Sequence, residues 1–227
     1  LVLAGDIDVA TAKEKVTRYF GDIPASATLA DMKTHIPKHA QDTRETIPDR
    51  VPQVRLYRGW PVAEMGTRDA ALLDLFAQVL GGSAASRFGT RLVHGDKIAD
   101  QASAYQWNSE ISGTFFLVST VKEGVDPAKV EKALDEELKR LIAEGPTADE
   151  LERAKVAGRA AFVRGIERIG GFGGKSDVLA SCAVYQGTPD CYKEELDILA
   201  TASAADVQAA AKKWLAGASH TILVQPS

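Results

Sequence analysis

The stretch Gly170-Gly171-Phe172-Gly173-Gly174-Lys175-Ser176 carries the residue types that cradle a phosphate: backbone N–H groups freed by glycine, and a lysine beside a hydroxyl. Its spacing is wrong for that chemistry. Four residues must separate the first glycine from the Gly-Lys pair, and the position required to be glycine is Ile169. The loop also follows a helical pattern and not a strand. It reads as a tight connection between helices, at which Gly173 and Lys175 can also touch a ligand.

His35 and His39 are four apart, the separation that puts two imidazoles on one helix face for zinc, but Pro37 lies between them and Lys38 stands where a general base would precede the second histidine. They read as solvated histidines of a connecting segment. His94 and His220 are isolated, whereas zinc needs three or four converging ligands. No Gly-x-Ser-x-Gly marks a nucleophile. The acidic run Asp135-Glu136-Glu137, beside Lys132, Lys139 and Arg140, reads as a solvated helix face. Cys182 and Cys191, the only cysteines, are either a disulfide in an oxidising compartment or two small buried thiols. The residues by themselves offer a stable fold and no active site.

The elements that would position these groups follow from periodicity and punctuation. Leu1 to Gly5 is an apolar run that reads as a strand, and Asp8 caps a helix through Phe20 with Val9, Ala12, Val16 and Tyr19 at helical spacing. Residues 24–52 hold Pro24, Pro37, Pro48 and Pro52 without periodicity, which predicts an extended connection and a domain boundary. A strand is expected over 53–59. A helix buried on more than one side follows over 67–80, ended by Gly81-Gly82-Ser83. After a short helix at 86–93, strands at 98–107 and 114–121 make a hairpin. Asp126-Pro127 starts a helix to Glu144, and Thr147 with Glu150 forms a capping box on the next. Gly158 and Gly165 inside that helix predict a closely packed neighbour. Helices over 176–186, 190–200 and 204–215 and a strand over 220–225 complete the pattern. This order predicts an α+β fold, an antiparallel sheet with helices mainly on one face.

The 227 residues include 27 Lys+Arg against 31 Asp+Glu, a net charge of −4, with 45% hydrophobic positions. A mildly acidic chain lacks the basic footprint of nucleic-acid binding, and that partner is excluded. No apolar run reaches the ~18 residues that span a bilayer. The chain opens on Leu1 without an initiator Met and reads as an excerpt of something longer.

Three segments bear a resemblance. Leu1-Val2-Leu3-Ala4-Gly5-Asp6 with the helix ending Tyr19-Phe20-Gly21-Asp22-Ile23-Pro24 is similar to the strand and helix that close the first domain of pitrilysin/insulinase-type zinc metallopeptidases. The stretch 69–80 followed by Gly81-Gly82-Ser83 and Ser86-Arg87-Phe88 resembles the start of the next domain. Gly145-Pro146-Thr147, Glu150-Leu151, Arg153-Ala154-Lys155 and the 171–175 loop resemble bacterial members. The resemblance implies three parts: residues 1–24 as the tail of a preceding domain, 25–49 as a linker, and 50–227 as a non-catalytic peptidase-family domain. It also implies zinc held elsewhere in the parent, by His-x-x-Glu-His, a motif this sequence lacks. No cofactor is expected in this chain, which is predicted inactive alone.

The expected partners are the catalytic domain or subunit of the same peptidase and a peptide substrate enclosed in a chamber. Active relatives place an Arg and a Tyr seven residues apart to assist the oxyanion; the matching positions here are Val93 and Asp100, neither able to donate as required. Arg91 is the nearest substitute, set against the reading of a surface or ion-paired arginine. Gly82 and Ser83 join Arg91, Gly173 and Lys175 as candidate substrate contacts. The alternative function is a binding or assembly module without proteolysis. The resemblance favours the periplasm, with the cytoplasm as the alternative. Residues 1–24 are expected to dock on the sheet of residues 50–227 or on another copy.

Overall fold

The computed structural model describes residues 1–27, 30 and 32–227. Five strands, β1 (Thr43–Asp49), β2 (Arg55–Val62), β3 (Ala99–Asn108), β4 (Gly113–Val121) and β5 (His220–Pro226), form one sheet in the order β1-β5-β2-β4-β3. Every pairing is antiparallel except β1 with β5, which is parallel. Helices α2 (Arg68–Gly81), α3 (Pro127–Glu144) and α7 (Ala204–Leu215) pack on one face. Outside them lie α4 (Ala148–Ile166), α5 (Lys175–Tyr185) and α6 (Cys191–Thr201). The fold is α+β, as the sequence predicts, with one parallel edge strand added.

The local reasons are readable. Thr67 caps α2 by accepting from the Ala70 N–H, and apolar residues around nearly the whole helix let it bury Leu72, Leu73, Leu75, Phe76, Val79 and Leu80 between sheet and outer helices. The absence of a side chain at Gly81 permits the approach of α2 to β3, because a Cβ there would lie 2.2 Å from the Ala104 nitrogen. Asp126 and Pro127 start α3, and the Thr147–Glu150 capping box starts α4. Gly158 of α4 faces the Leu199 side chain of α6 at a would-be Cβ distance of 3.2 Å, the close neighbour its glycine predicts.

Two expectations at the N-terminal end do not hold. Leu1 to Gly5 forms no strand, since an apolar run becomes one only where another strand satisfies its backbone. The following helix, α1 (Val9–Phe20), is capped by Asp8 as expected but buries no residue, and Val9 and Tyr19 are exposed. The predicted docking of residues 1–24 on the sheet is therefore not seen within the chain. Conversely, the end of the 24–52 connection is strand β1. All of its residues are exposed, so it lacks the alternation that betrays a strand, and Pro48 is tolerated because the strand lies at the sheet edge. Positions 28, 29 and 31 of the expected linker lie outside the described residues. The expected short helix at 86–93 is a π-helical turn at Gly89–Gly95, and α4 stops at Ile166, leaving Ile169 exposed beyond it.

Candidate functional site

Alternate residues of each strand point to opposite faces, and only one face is covered by helices. The other carries rows fixed by register: Ser103, Val118, Tyr57 and Ile222 in one, Tyr105, Phe116, Gly59 and His220 in the next. Trp107 opposes Thr114 beyond them and is 71% exposed. The Tyr105 and Phe116 rings lie 5.4 Å apart. Gly59 leaves a shallow place in this surface that the Phe116 ring borders, a Cβ there lying 3.7 Å from its Cε1. An extended strap crosses one end. The His35 N–H donates to the Ile111 carbonyl at 3.0 Å, and Pro37 and His39 close a cavity of about 280 Å3 over Tyr57, Phe116 and Ile222.

This face can hold an extended peptide through apolar and aromatic contact. His220 is engaged by the Thr43 hydroxyl at 2.8 Å, and His35, His39 and His94 are exposed. Among the described residues no three His, Cys, Asp or Glu side chains gather to hold a metal. The donor set does not fit a zinc ion, and no chemical step follows from one here.

The sequence-predicted contact residues do not converge. Gly82 and Ser83 are exposed behind α2, whereas Gly173 and Lys175 sit in the loop before α5. That loop is held by its own bonds: the Gly173 N–H donates to Asp177 at 2.7 Å, and Arg168 donates to the Phe172 carbonyl. Arg91 is ion-paired, the alternative reading of it. Its guanidinium donates to Glu137 at 3.0 Å and also bonds Glu136. The hydrogen bond to Glu136 and then that to Glu137 hold its pKa above the usual arginine value, against a desolvation that opposes them.

Glu137 departs from the solvated reading of the acidic run, whereas Glu136 is exposed and pairs with Lys132 as that reading expects. Glu137 is 1% exposed and also accepts from Arg140 at 2.5 Å, while Asp135 pairs with Arg58. The signal was in the spacing: Glu137 falls inside the stripe Val130, Leu134, Leu138, Leu141 and so faces the interior. Nearby, Arg87 grips Glu150 with two bonds of 2.8 Å, and this grip is the main reason the Glu150 carboxyl is lowered to about 2. Asp100, at one of the positions where active relatives have a donor, instead accepts from the Gln53 amide at 2.5 Å.

The aromatic face itself was missed in the sequence. Its signal is the near-continuous apolar run of β4, Phe115-Phe116-Leu117-Val118, where a strand with one solvated face would alternate with polar residues. The two cysteines are joined as a disulfide, Cα to Cα 5.3 Å, tying α5 to α6.

The family model described as the peptidase M16 inactive domain matches residues 1–157. A search of curated proteins finds no match. The fold is similar to that of a protease from Helicobacter pylori (TM-score 0.82, 19% identity, covering 98% of this chain and 54% of that one). It is also similar to a peptidase M16 inactive domain from Pseudomonas fluorescens (TM-score 0.79, 18% identity, 98% and 52%). The periplasmic protease PqqL from Escherichia coli matches with TM-score 0.72 and 15% identity, over 98% of this chain and 25% of its own. The chain thus spans about half the length of the first two.

Proposed function

The chain belongs to the peptidase M16 inactive-domain family, and from that premise we propose that it is the non-catalytic domain of a zinc-dependent endopeptidase, its open sheet face forming part of the wall of a peptide-enclosing chamber. Another domain or subunit cuts the peptide. The observation that carries this reading is the aromatic sheet face of Tyr57, Tyr105, Trp107 and Phe116, which among the described residues no helix covers and no group of metal-ligating side chains accompanies. A wall of this kind affects rate by ordering an unfolded segment beside a reacting centre it does not itself contain. The Cys182–Cys191 bridge, together with the likeness to a periplasmic protease, supports an oxidising compartment such as the periplasm.

The test uses the full-length parent. Replacing Tyr105 and Trp107 together by serine is expected to raise KM for an unstructured peptide about fivefold while leaving kcat within about twofold, the mark of lost binding without lost chemistry. An unchanged KM would remove this face from the peptide's path.

A further inference from the structure

A second unfilled surface lies on the helical side, away from the open sheet face. Helices α2, α4, α5 and α6 enclose a cleft of about 620 Å3. Its apolar lining includes Ala154 and Gly158 of α4 and Ile198 and Leu199 of α6. The Phe162 and Tyr192 rings, which also line it, are stacked with centroids 5.9 Å apart. The disulfide between the two lining cysteines holds α5 and α6 together, so the cleft is built before any ligand arrives.

Its polar character is one-sided. The charged residues of the lining are Asp74, Asp177, Glu194 and Glu195, with no Lys, Arg or His among them. None of the four is in a salt bridge among the described residues; Glu195 accepts from the Gln186 amide at 3.2 Å and Asp177 from the Gly173 N–H. Gln106 and Asn108 also line the cleft; their Oε1 and Oδ1 atoms are buried without a donor among the described residues, the Asn108 oxygen lying against Gly113 of β4. Asp74 is exposed, and crowding by the surrounding protein raises its carboxyl pKa, with the Gln106 amide opposing the rise and the Glu195 charge adding to it. Negative charge over an apolar, aromatic floor is complementary to a cation carrying several N–H donors on an apolar stem.

We propose that this cleft binds a basic segment of polypeptide, seating an arginine or lysine among Asp74, Glu194 and Glu195 and the flanking apolar side chains on the α4–α6 floor. The site is independent of the chamber reading, because it lies on the other side of the α2 layer and its readout is binding alone.

The experiment titrates the chain with a fluorescein-labelled peptide of alternating leucine and arginine, and with its counterpart in which glutamine replaces arginine. Fluorescence anisotropy is expected to show the basic peptide bound about tenfold more tightly at low salt, with the preference shrinking as salt is raised. The double variant Glu194→Gln with Glu195→Gln, at exposed positions and with melting temperature checked against the parent, is expected to abolish the preference. Equal binding of the two peptides, no binding of either, or a preference that survives the double variant would each overturn the proposal.

Discussion

The two faces of the sheet are made by the same strands and differ by one residue in register, yet they have opposite fates. On the covered face Leu56, Trp60, Val62, Phe115 and Leu117 are at most 3% exposed, locked under α2, α3 and α7. On the open face the large aromatic side chains of Tyr105 and Trp107 remain 43% and 71% exposed. Apolar character alone does not say what a residue is for. The covered face supplies stability, and the open one has area to offer to something outside the chain.

The largest effect should come from the covered face. Phe115→Ala removes a fully buried ring packed against Trp60 and Phe76 and is expected to cost about 3–5 kcal/mol in urea unfolding. A cost below about 1 kcal/mol would mean this face is not the packed core. Next in size is Glu137→Ala, which strips Arg91 and Arg140 of a shared buried acceptor, with an expected loss of about 3 kcal/mol and a lowered melting temperature.

Glu150→Gln should be milder, about 1–2 kcal/mol at neutral pH, because the glutamine amide oxygen can still accept from Arg87. The sign of its pH dependence is fixed. Glu150 is lowered from 4.5 to about 2 in the folded chain, so its contribution is complete above the unfolded value and is lost as pH falls from about 4.5 towards 2. Urea midpoints measured across that window should converge for the variant and the parent sequence; a constant gap would deny the ion pair its role. Smallest of all, Trp107→Ser on the open face should change stability by no more than about 0.5 kcal/mol. A loss comparable with that of Phe115→Ala would erase the contrast between the faces.

Much of the fold was legible because its signals are local. Thr67, Asp126 with Pro127, and Thr147 with Glu150 mark helix starts within a few residues of the helices they cap. The β3–β4 hairpin pairs neighbours in sequence. What escaped depends on distant partners. Strand β1 exists because Thr43–Asp49 finds β5 more than 170 residues later, and an exposed edge strand shows no pattern beforehand. Leu1 to Gly5 shows the reverse, an apolar run that pairs with no strand among the described residues.

At the candidate site, Arg91 attracted notice as a lone cation near a motif, but its meaning came from Glu136 and Glu137, which stand 45 and 46 positions away. The aromatic face needed the register of three strands before Tyr105, Phe116 and Gly59 could be placed in one row. The cleft needed four helices and a disulfide, and only the glycine at 158 announced that two of them would meet.

The central claim is that this chain positions peptides and does not cut them. Incubating the purified chain with an unstructured protein substrate, with and without a chelator, and measuring bound zinc in the same preparation, tests it directly. The account predicts intact substrate in both arms and no stoichiometric zinc. Digestion that stops when the chelator is added would contradict it.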